Sequence, residues 1–295
     1  MTRRLEKEMS YFPGCSLATT AKENNASLKS FLHHFGIKLT EVPDWNCCGS
    51  SSTHSINSKL ALGLAARNLF LAPKDKSMLI ACPGCYLRLK HARMELNDSK
   101  EKQQVFENHF EKVYEPNLHL IHFFELLAEM GDSSLFDHLT NRLNGLKIAP
   151  YYGCMLERPP SMNKEKNHYG LIEKIMSSLG AEPIRWAFSN RCCGTFLSVS
   201  RPDIAGKLVN RIMHGAIQAG SECIVTACAM CHLNLEIRCR PKNQIPIFHF
   251  SELLSLALER RAPKEWLKRH LIDPTELLDQ RQLVCSRTDQ SNTLW

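Results

Sequence analysis

The chain has 295 residues, 43% hydrophobic and 23% charged, values typical of folded globular proteins; wholesale disorder is excluded, and there is enough chain to build one or two cores. Its formal charge of +7 comes from scattered Lys and Arg, with no run of five or six and no basic stripe interleaved with aromatics, so no nucleic acid partner is expected. Thirteen cysteines are far more than stability requires at this size, so their chemistry decides the function.

Along the chain, residues 1–9 begin basic but carry no apolar export core and no small-residue cleavage site. The longest apolar stretches, such as 120–127 and 78–82, fall well short of the roughly 18 residues of a membrane span. A cytoplasmic protein with no membrane span is expected, and in a reducing compartment its cysteines bind metal or do redox work. Apolar runs of strand length lie at 9–12, 37–42 and 78–81, with a helical pattern over 58–70 for which Ser55 or Asn57 is the N-cap. The charged stretch 97–116 reads as a surface insertion and 132–145 as a linker. Strand-length runs return at 147–152, 183–188 and 223–227, with a helical pattern over 201–219. The polar tail from about 279 has little periodicity.

The second half repeats the first. Tyr11-Phe12-Pro13-Gly14-Cys15 is echoed by Tyr151-Tyr152-Gly153-Cys154, Cys47-Cys48-Gly49 by Cys192-Cys193-Gly194, and Cys82-Pro83-Gly84-Cys85 by Cys228-Ala229-Met230-Cys231. The segment from Ile121 to Leu127 answers to that from Phe248 to Leu254. Spacings agree: 31 residues separate Cys15 from Cys47 and 37 separate Cys154 from Cys192, while 33 and 34 separate the CCG motifs from the CxxC motifs. The halves span 1–132 and 147–262 as N-terminal and C-terminal domains, with 263–295 as a C-terminal extension and tail. Alternating strand and helix patterns predict an α/β fold, each half a small parallel sheet with flanking helices, the two related by a pseudo-two-fold axis. Cys15, Cys82, Cys154 and Cys228 then fall at the C-terminal ends of strands, where open α/β sheets place ligands.

A single CxxC is shared by thioredoxin-like sites, zinc knuckles and haem attachment sites. Five cysteines repeated in order say more. A structural zinc ion takes four ligands in a closed tetrahedron, which leaves a fifth thiolate without a role and makes the vicinal pair awkward. Soft thiolates select zinc, copper(I) or iron–sulfur clusters, and only a polynuclear cluster offers several metal atoms to adjacent cysteines.

The duplicated CCG and CxxC motifs, each with a GC upstream, resemble the cysteine-rich CCG domain found in the B-type subunit of heterodisulfide reductase, over roughly residues 10–258. The resemblance implies two non-cubane [4Fe-4S] clusters, one held by Cys15, Cys47, Cys48, Cys82 and Cys85 and the other by Cys154, Cys192, Cys193, Cys228 and Cys231. It also implies a small thiol, disulfide or carrier-bound sulfur substrate, cleaved or formed between the two clusters. No GxGxxG or Walker A sequence is present, so electrons come from partners: a ferredoxin-like iron–sulfur subunit and a flavin subunit. Thr195 and Phe196 make the loop after the second CCG bulkier than in many relatives, which leans the reading toward the sulfur-oxidising members of the group.

Cys228 to His232 also spells a c-type haem motif, but its repeat partner is followed by Tyr86, and the export that haem attachment requires is not signalled. Cys223 reads as core, Cys239 lies in a basic stretch that could lower its pKa, and Cys285 is a tail thiol. His122 and His249 read as packed or capping residues. His54 and His232 lie near the ligands as weak catalytic candidates, able to supply a proton to a released thiolate or a hydrogen bond to cluster sulfur. Trp45 and Trp186 precede the CCG motifs and shield the clusters from water. The rival function is an electron-transfer CCG subunit of a flavin dehydrogenase of the lactate, glycolate, glycerol-phosphate or succinate type, passing electrons to quinone. A zinc-stabilised scaffold is the third.

Overall fold

The computed structural model describes residues 6–50, 52–131, 142–156, 169–259 and 264–283; most of the linker, the end of the tail and Cys285 lie outside them. The first half runs β1 (Glu8–Phe12), α1 (Gly14–Ala18), α2 (Lys22–His34), β2 (Lys38–Glu41), α3 (Thr53–Ile56), α4 (Ser58–Leu71), β3 (Met78–Ile80), α5 (Pro83–Asp98), α6 (Lys100–Phe110), β4 (Leu120–His122) and α7 (Phe123–Gly131). The second runs β5 (Lys147–Tyr151), α8 (Leu171–Ser178), β6 (Glu182–Pro183), α9 (Pro202–Gln218), β7 (Cys223–Thr226), α10 (Ala229–Arg238), β8 (Ile247–His249), α11 (Phe250–Glu259), α12 (Lys264–Leu267) and α13 (Thr275–Gln280).

Two four-stranded parallel sheets result, ordered β2-β1-β3-β4 and β6-β5-β7-β8. Their inner strands are buried on both faces, because helices cover both faces of a parallel sheet: Met9 to Phe12, Met78 to Ile80 and Cys223 to Val225 are all buried, Ser10 being the polar residue among them. In each order the chain reverses its direction of travel across the sheet after the second strand, so β1 and β3, and likewise β5 and β7, flank a topological switch point. Crevices at such points open beyond the C-terminal strand ends, where the chain continues into Gly14-Cys15 and Cys82, and into Gly153-Cys154 and Cys228.

The expected α/β architecture is therefore present twice, with differences in detail. Of the run at 183–188 only Pro183 lies in the sheet, with Glu182 before it, and each sheet gains a three-residue fourth strand, β4 or β8, running directly into a helix. Stretch 97–116 is not a bare surface loop: it forms α6, whose Phe106 and Phe110 pack on the first core, with Phe110 5.1 Å from the Phe70 ring. The described part of the C-terminal extension packs on the fold, with Leu278 and Leu283 buried. Asn57, not Ser55, caps α4, its side chain accepting the Leu60 N–H at 3.0 Å. Asn57→Ala is expected to lower stability by about 1 kcal/mol in urea unfolding, the usual effect of losing a cap.

Described residues 6–22, 32–50, 52–130 and 154–156 gather in one compact unit and 23–31, 131, 142–153, 169–259 and 264–283 in the other. Most of α2 thus comes from the first half of the sequence but is built into the second unit. There Ser27 Oγ lies 2.7 Å from Ser251 Oγ, and Ser255 Oγ donates to the Ser27 carbonyl at 2.7 Å. In the same unit the tail is held by Arg281, whose Nε donates to Glu222 at 3.0 Å.

Candidate metal centre

In the first unit all five cysteines of the first set converge. Cys15 lies in the short α1 after β1, Cys47 and Cys48 in the loop before α3, Cys82 at the N-cap of α5 and Cys85 in its first turn. Cys47 Sγ is 3.6 Å from Cys15 Sγ, Cys48 Sγ is 3.2 Å from Cys85 Sγ, and further thiol contacts join Cys47 to Cys48 and Cys85 to Cys82. All are free thiols. Shared protons split them: hydrogen bonds with Cys15 and Cys48 hold Cys47 well below the usual thiol range, and the same bonds push Cys15 and Cys48 up. Contact with Cys48 and Cys82, with burial, pushes Cys85 up as well. Five thiols this close cannot all ionise beside one another, whereas a polynuclear metal group would take them all as thiolates. The donor set fits an iron–sulfur cluster.

Backbone room is part of the fit. Gly14 has φ +71°, and a Cβ there would come within 2.8 Å of Cys85 Sγ; Gly153, at φ +69°, would meet Cys231 Sγ at 3.3 Å. The glycine of each GC pair therefore leaves space for a sulfur of the CxxC helix.

The second unit gathers four of its five cysteines in the same way. Cys193 Sγ is 3.4 Å from Cys231 Sγ, Cys231 contacts Cys228, and Gly194 N–H donates to Cys192 Sγ at 3.3 Å. Cys154 is half-buried and follows Gly153, where the chain passes from one unit to the other. The hydrogen bond with Cys231 holds Cys193 below the usual thiol range. Contact with Cys193 and Cys228, with burial, pushes Cys231 up, as its counterpart Cys85 is pushed up in the first unit.

Two site residues escaped the sequence reading. Arg88 and Asn234 each stand six residues after the first cysteine of their CxxC, so helical periodicity turns both toward the sulfurs. Half-buried Arg88 acts electrostatically on Cys48, and its Nε is buried without a hydrogen-bond partner. Asn234 donates to the Cys193 carbonyl at 2.9 Å and accepts from Ser198 Oγ at 2.7 Å. The signal was their position in the repeat, concealed because the residue types differ.

Of the histidine candidates, exposed His54 has its Nδ1 3.0 Å from an Arg88 nitrogen, and its pKa is lowered by burial and by that guanidinium. His232 is buried and turned toward Asn24 at 3.1 Å. His122 caps the helix that follows it, its Nδ1 accepting Phe124 N–H at 3.2 Å, whereas His249 is buried with its Nδ1 2.7 Å from Ser251 Oγ and its N–H donating to Glu252 at 2.7 Å. Trp45 and Trp186 pack on the two cores beside the cysteines, Trp45 edge-on to Phe12 at 5.5 Å and Trp186 donating to the Pro150 carbonyl at 2.8 Å. Thr195 Oγ1 donates to the Met230 carbonyl at 3.3 Å, while Phe196 is exposed. Cys239 is the correction. Its basic neighbours do not activate it, because it is buried and its pKa is pushed up, as is that of Cys223 in the core. Both are expected to stay unmodified by iodoacetamide at pH 8 in the native protein and to react after unfolding, as peptide mass mapping would show.

Two parallel sheets carrying clustered thiols at matching strand ends define a duplicated cysteine-rich redox protein. The chain belongs to the CCG cysteine-rich domain family, which matches residues 9–90 and 148–236, together more than half of it. It is 29% identical over 284 residues to the 8-methylmenaquinol:fumarate reductase membrane anchor subunit of Wolinella succinogenes, covering 92% of this chain and 100% of that protein. It is 26% identical over 292 residues to the B-type subunit of the ferredoxin:CoB-CoM heterodisulfide reductase of Methanosarcina mazei, covering 92% and 96%. The glycolate oxidase iron–sulfur subunit of Escherichia coli is 23% identical over 270 residues, and 60% of its length is spanned. The fold matches that of a hypothetical protein from Helicobacter pylori with TM-score 0.71 at 15% identity, over 90% of this chain and 52% of that one. The chain is thus a CCG iron–sulfur subunit related both to the B-type subunit of heterodisulfide reductase and to iron–sulfur subunits of flavoenzymes. No helix among the described residues is long and apolar enough to cross a membrane.

Proposed function

We propose that this chain is the iron–sulfur catalytic subunit of a heterodisulfide reductase-like complex, an oxidoreductase of the sulfur-oxidising type working in the cytoplasm on a disulfide or sulfane-sulfur bond. Cys15, Cys47, Cys48, Cys82 and Cys85 would hold one non-cubane [4Fe-4S] cluster, and Cys154, Cys192, Cys193, Cys228 and Cys231 the other. The observation that supports this best is a shared asymmetry of exposure. In each set the second CCG cysteine and both CxxC cysteines are buried, whereas Cys15, Cys154 and Cys192 are half-buried and Cys47 is exposed. An electron relay works fully enclosed, but a centre that meets a substrate sulfur needs an open side.

When bound, the clusters supply single electrons and a Lewis-acidic iron for sulfur. The chain's own groups prepare the site around them. Arg88 keeps a positive charge beside Cys48, suited to a substrate that becomes thiolate, and His54 is the residue offered to carry a proton there. A ferredoxin-like subunit and a flavin subunit would exchange the electrons.

A second reading, electron transfer between quinone and a flavin partner, is favoured by apolar side chains behind each CCG motif. Ile56 and Leu60 are exposed after the first and Phe196 and Val199 after the second. The relative named for 8-methylmenaquinol points the same way. Electron paramagnetic resonance of anaerobic, oxidised protein separates the two. A signal that arises or shifts with added thiols supports the sulfur reading. Clusters indifferent to thiols and reduced by a quinol support the second.

A further inference from the structure

In the second unit, α2, α10, α11 and the turn at 268–272 bring three glutamates and two histidines into one buried volume. His270 places Nε2 2.9 Å from Glu252 Oε1 and Nδ1 3.2 Å from Glu236 Oε1. His232 Nε2 is 3.4 Å from Glu236 Oε1 but makes no hydrogen bond, although His232 is only 3% exposed. Glu23 Oε2 is likewise buried without a partner, and the charged groups acting on Glu23 are Glu252, His232 and His270. His232, Glu252 and His270 can each bring one ligand atom into a group spanning no more than 4.8 Å.

We propose that this cluster is a zinc site, distinct from the cysteine sets, with His232 Nε2, His270 Nε2 and Glu252 as ligands and Glu23 in the fourth position. Two neutral imidazoles and two carboxylates match the charge of a divalent ion, and four N/O donors match its tetrahedral preference. Surrounding groups complete the pattern of a metal-bound histidine. Glu236 accepts from His270 Nδ1, and the Leu271 N–H holds its other oxygen at 3.0 Å. Asn24 faces His232 Nδ1, while its own Oδ1 is buried with no partner. Turning that amide so the oxygen accepts the Nδ1–H leaves Nε2 with a free lone pair for the metal, and the ion gives the unpartnered Nε2 of His232 and Oε2 of Glu23 a partner. Such an ion ties four separate segments together and anchors α10, the helix whose first turn carries Cys231.

The test is metal analysis with zinc-edge X-ray absorption on the full chain, purified anaerobically from zinc-supplemented cells. About one zinc per chain is expected, with only nitrogen and oxygen neighbours at about 2.0–2.1 Å. His270→Gln is expected to lower zinc at least tenfold while iron stays at the wild-type level; if that variant does not fold, Glu23→Gln gives the same readout. No stoichiometric zinc in the wild-type chain, or a shell containing sulfur at about 2.3 Å, overturns the proposal. The iron count, which tests the cysteine clusters, is read separately in the same sample.

Discussion

Gly14→Ala is expected to remove about half of the bound iron while the second cysteine set keeps its share. Two effects combine at this position. The backbone sits at φ +71°, where a side chain costs about 1–2 kcal/mol, and the new Cβ lies 2.8 Å from Cys85 Sγ, so the sulfur must move by roughly 1 Å to restore ordinary contact. Cys85 lies in the first turn of α5 and is buried, with Cys48 and Cys82 against it, so it cannot move alone. Gly36→Ala is the matched control: its φ is also +71° but nothing lies within 4 Å, so it should cost stability without costing iron. Iron per chain and urea unfolding of both variants decide the matter. A Gly14→Ala chain with full iron would show that Cys85 is not held where a cluster needs it.

The second large effect concerns the independence of the two sets. Cys48→Ser and Cys193→Ser each replace the buried second cysteine of a CCG motif, which contacts the CxxC helix at 3.2 and 3.4 Å respectively. Serine leaves a poor iron ligand in a site whose other thiols crowd together. Each variant is expected to retain about half the wild-type iron and the double variant almost none, since every set supplies its own ligands. Total loss from either single variant would mean that one cluster cannot persist without the other.

How far these features were legible depended on local pattern. β1, β3, β5 and β7 were readable because they are mostly apolar runs buried on both faces. β4 and β8 were not: three residues each, running straight into α7 and α11, they merge with the apolar pattern of those helices. Residues 184–188 read as strand because they are apolar, yet Trp186 there packs on the core and bonds the Pro150 carbonyl outside the sheet ladder. The charge of 97–116 hid α6, since only Phe106 and Phe110 betray a packed face. Placement of α2 in the second unit left no trace, because the side-chain hydrogen bonds that it makes there come from small polar residues, Asn24 and Ser27, whose partners lie more than 200 residues away. The cysteine sets were legible for the opposite reason: their chemistry demands particular residue types at fixed spacing. Arg88 and Asn234 answer only to position, and His270 and Glu252 meet through tertiary packing alone.

Iron and acid-labile sulfide per chain, measured on anaerobically purified wild-type protein, test most directly whether the two cysteine sets hold two clusters. About eight of each per chain are expected. Four or fewer in intact, folded protein would contradict the account.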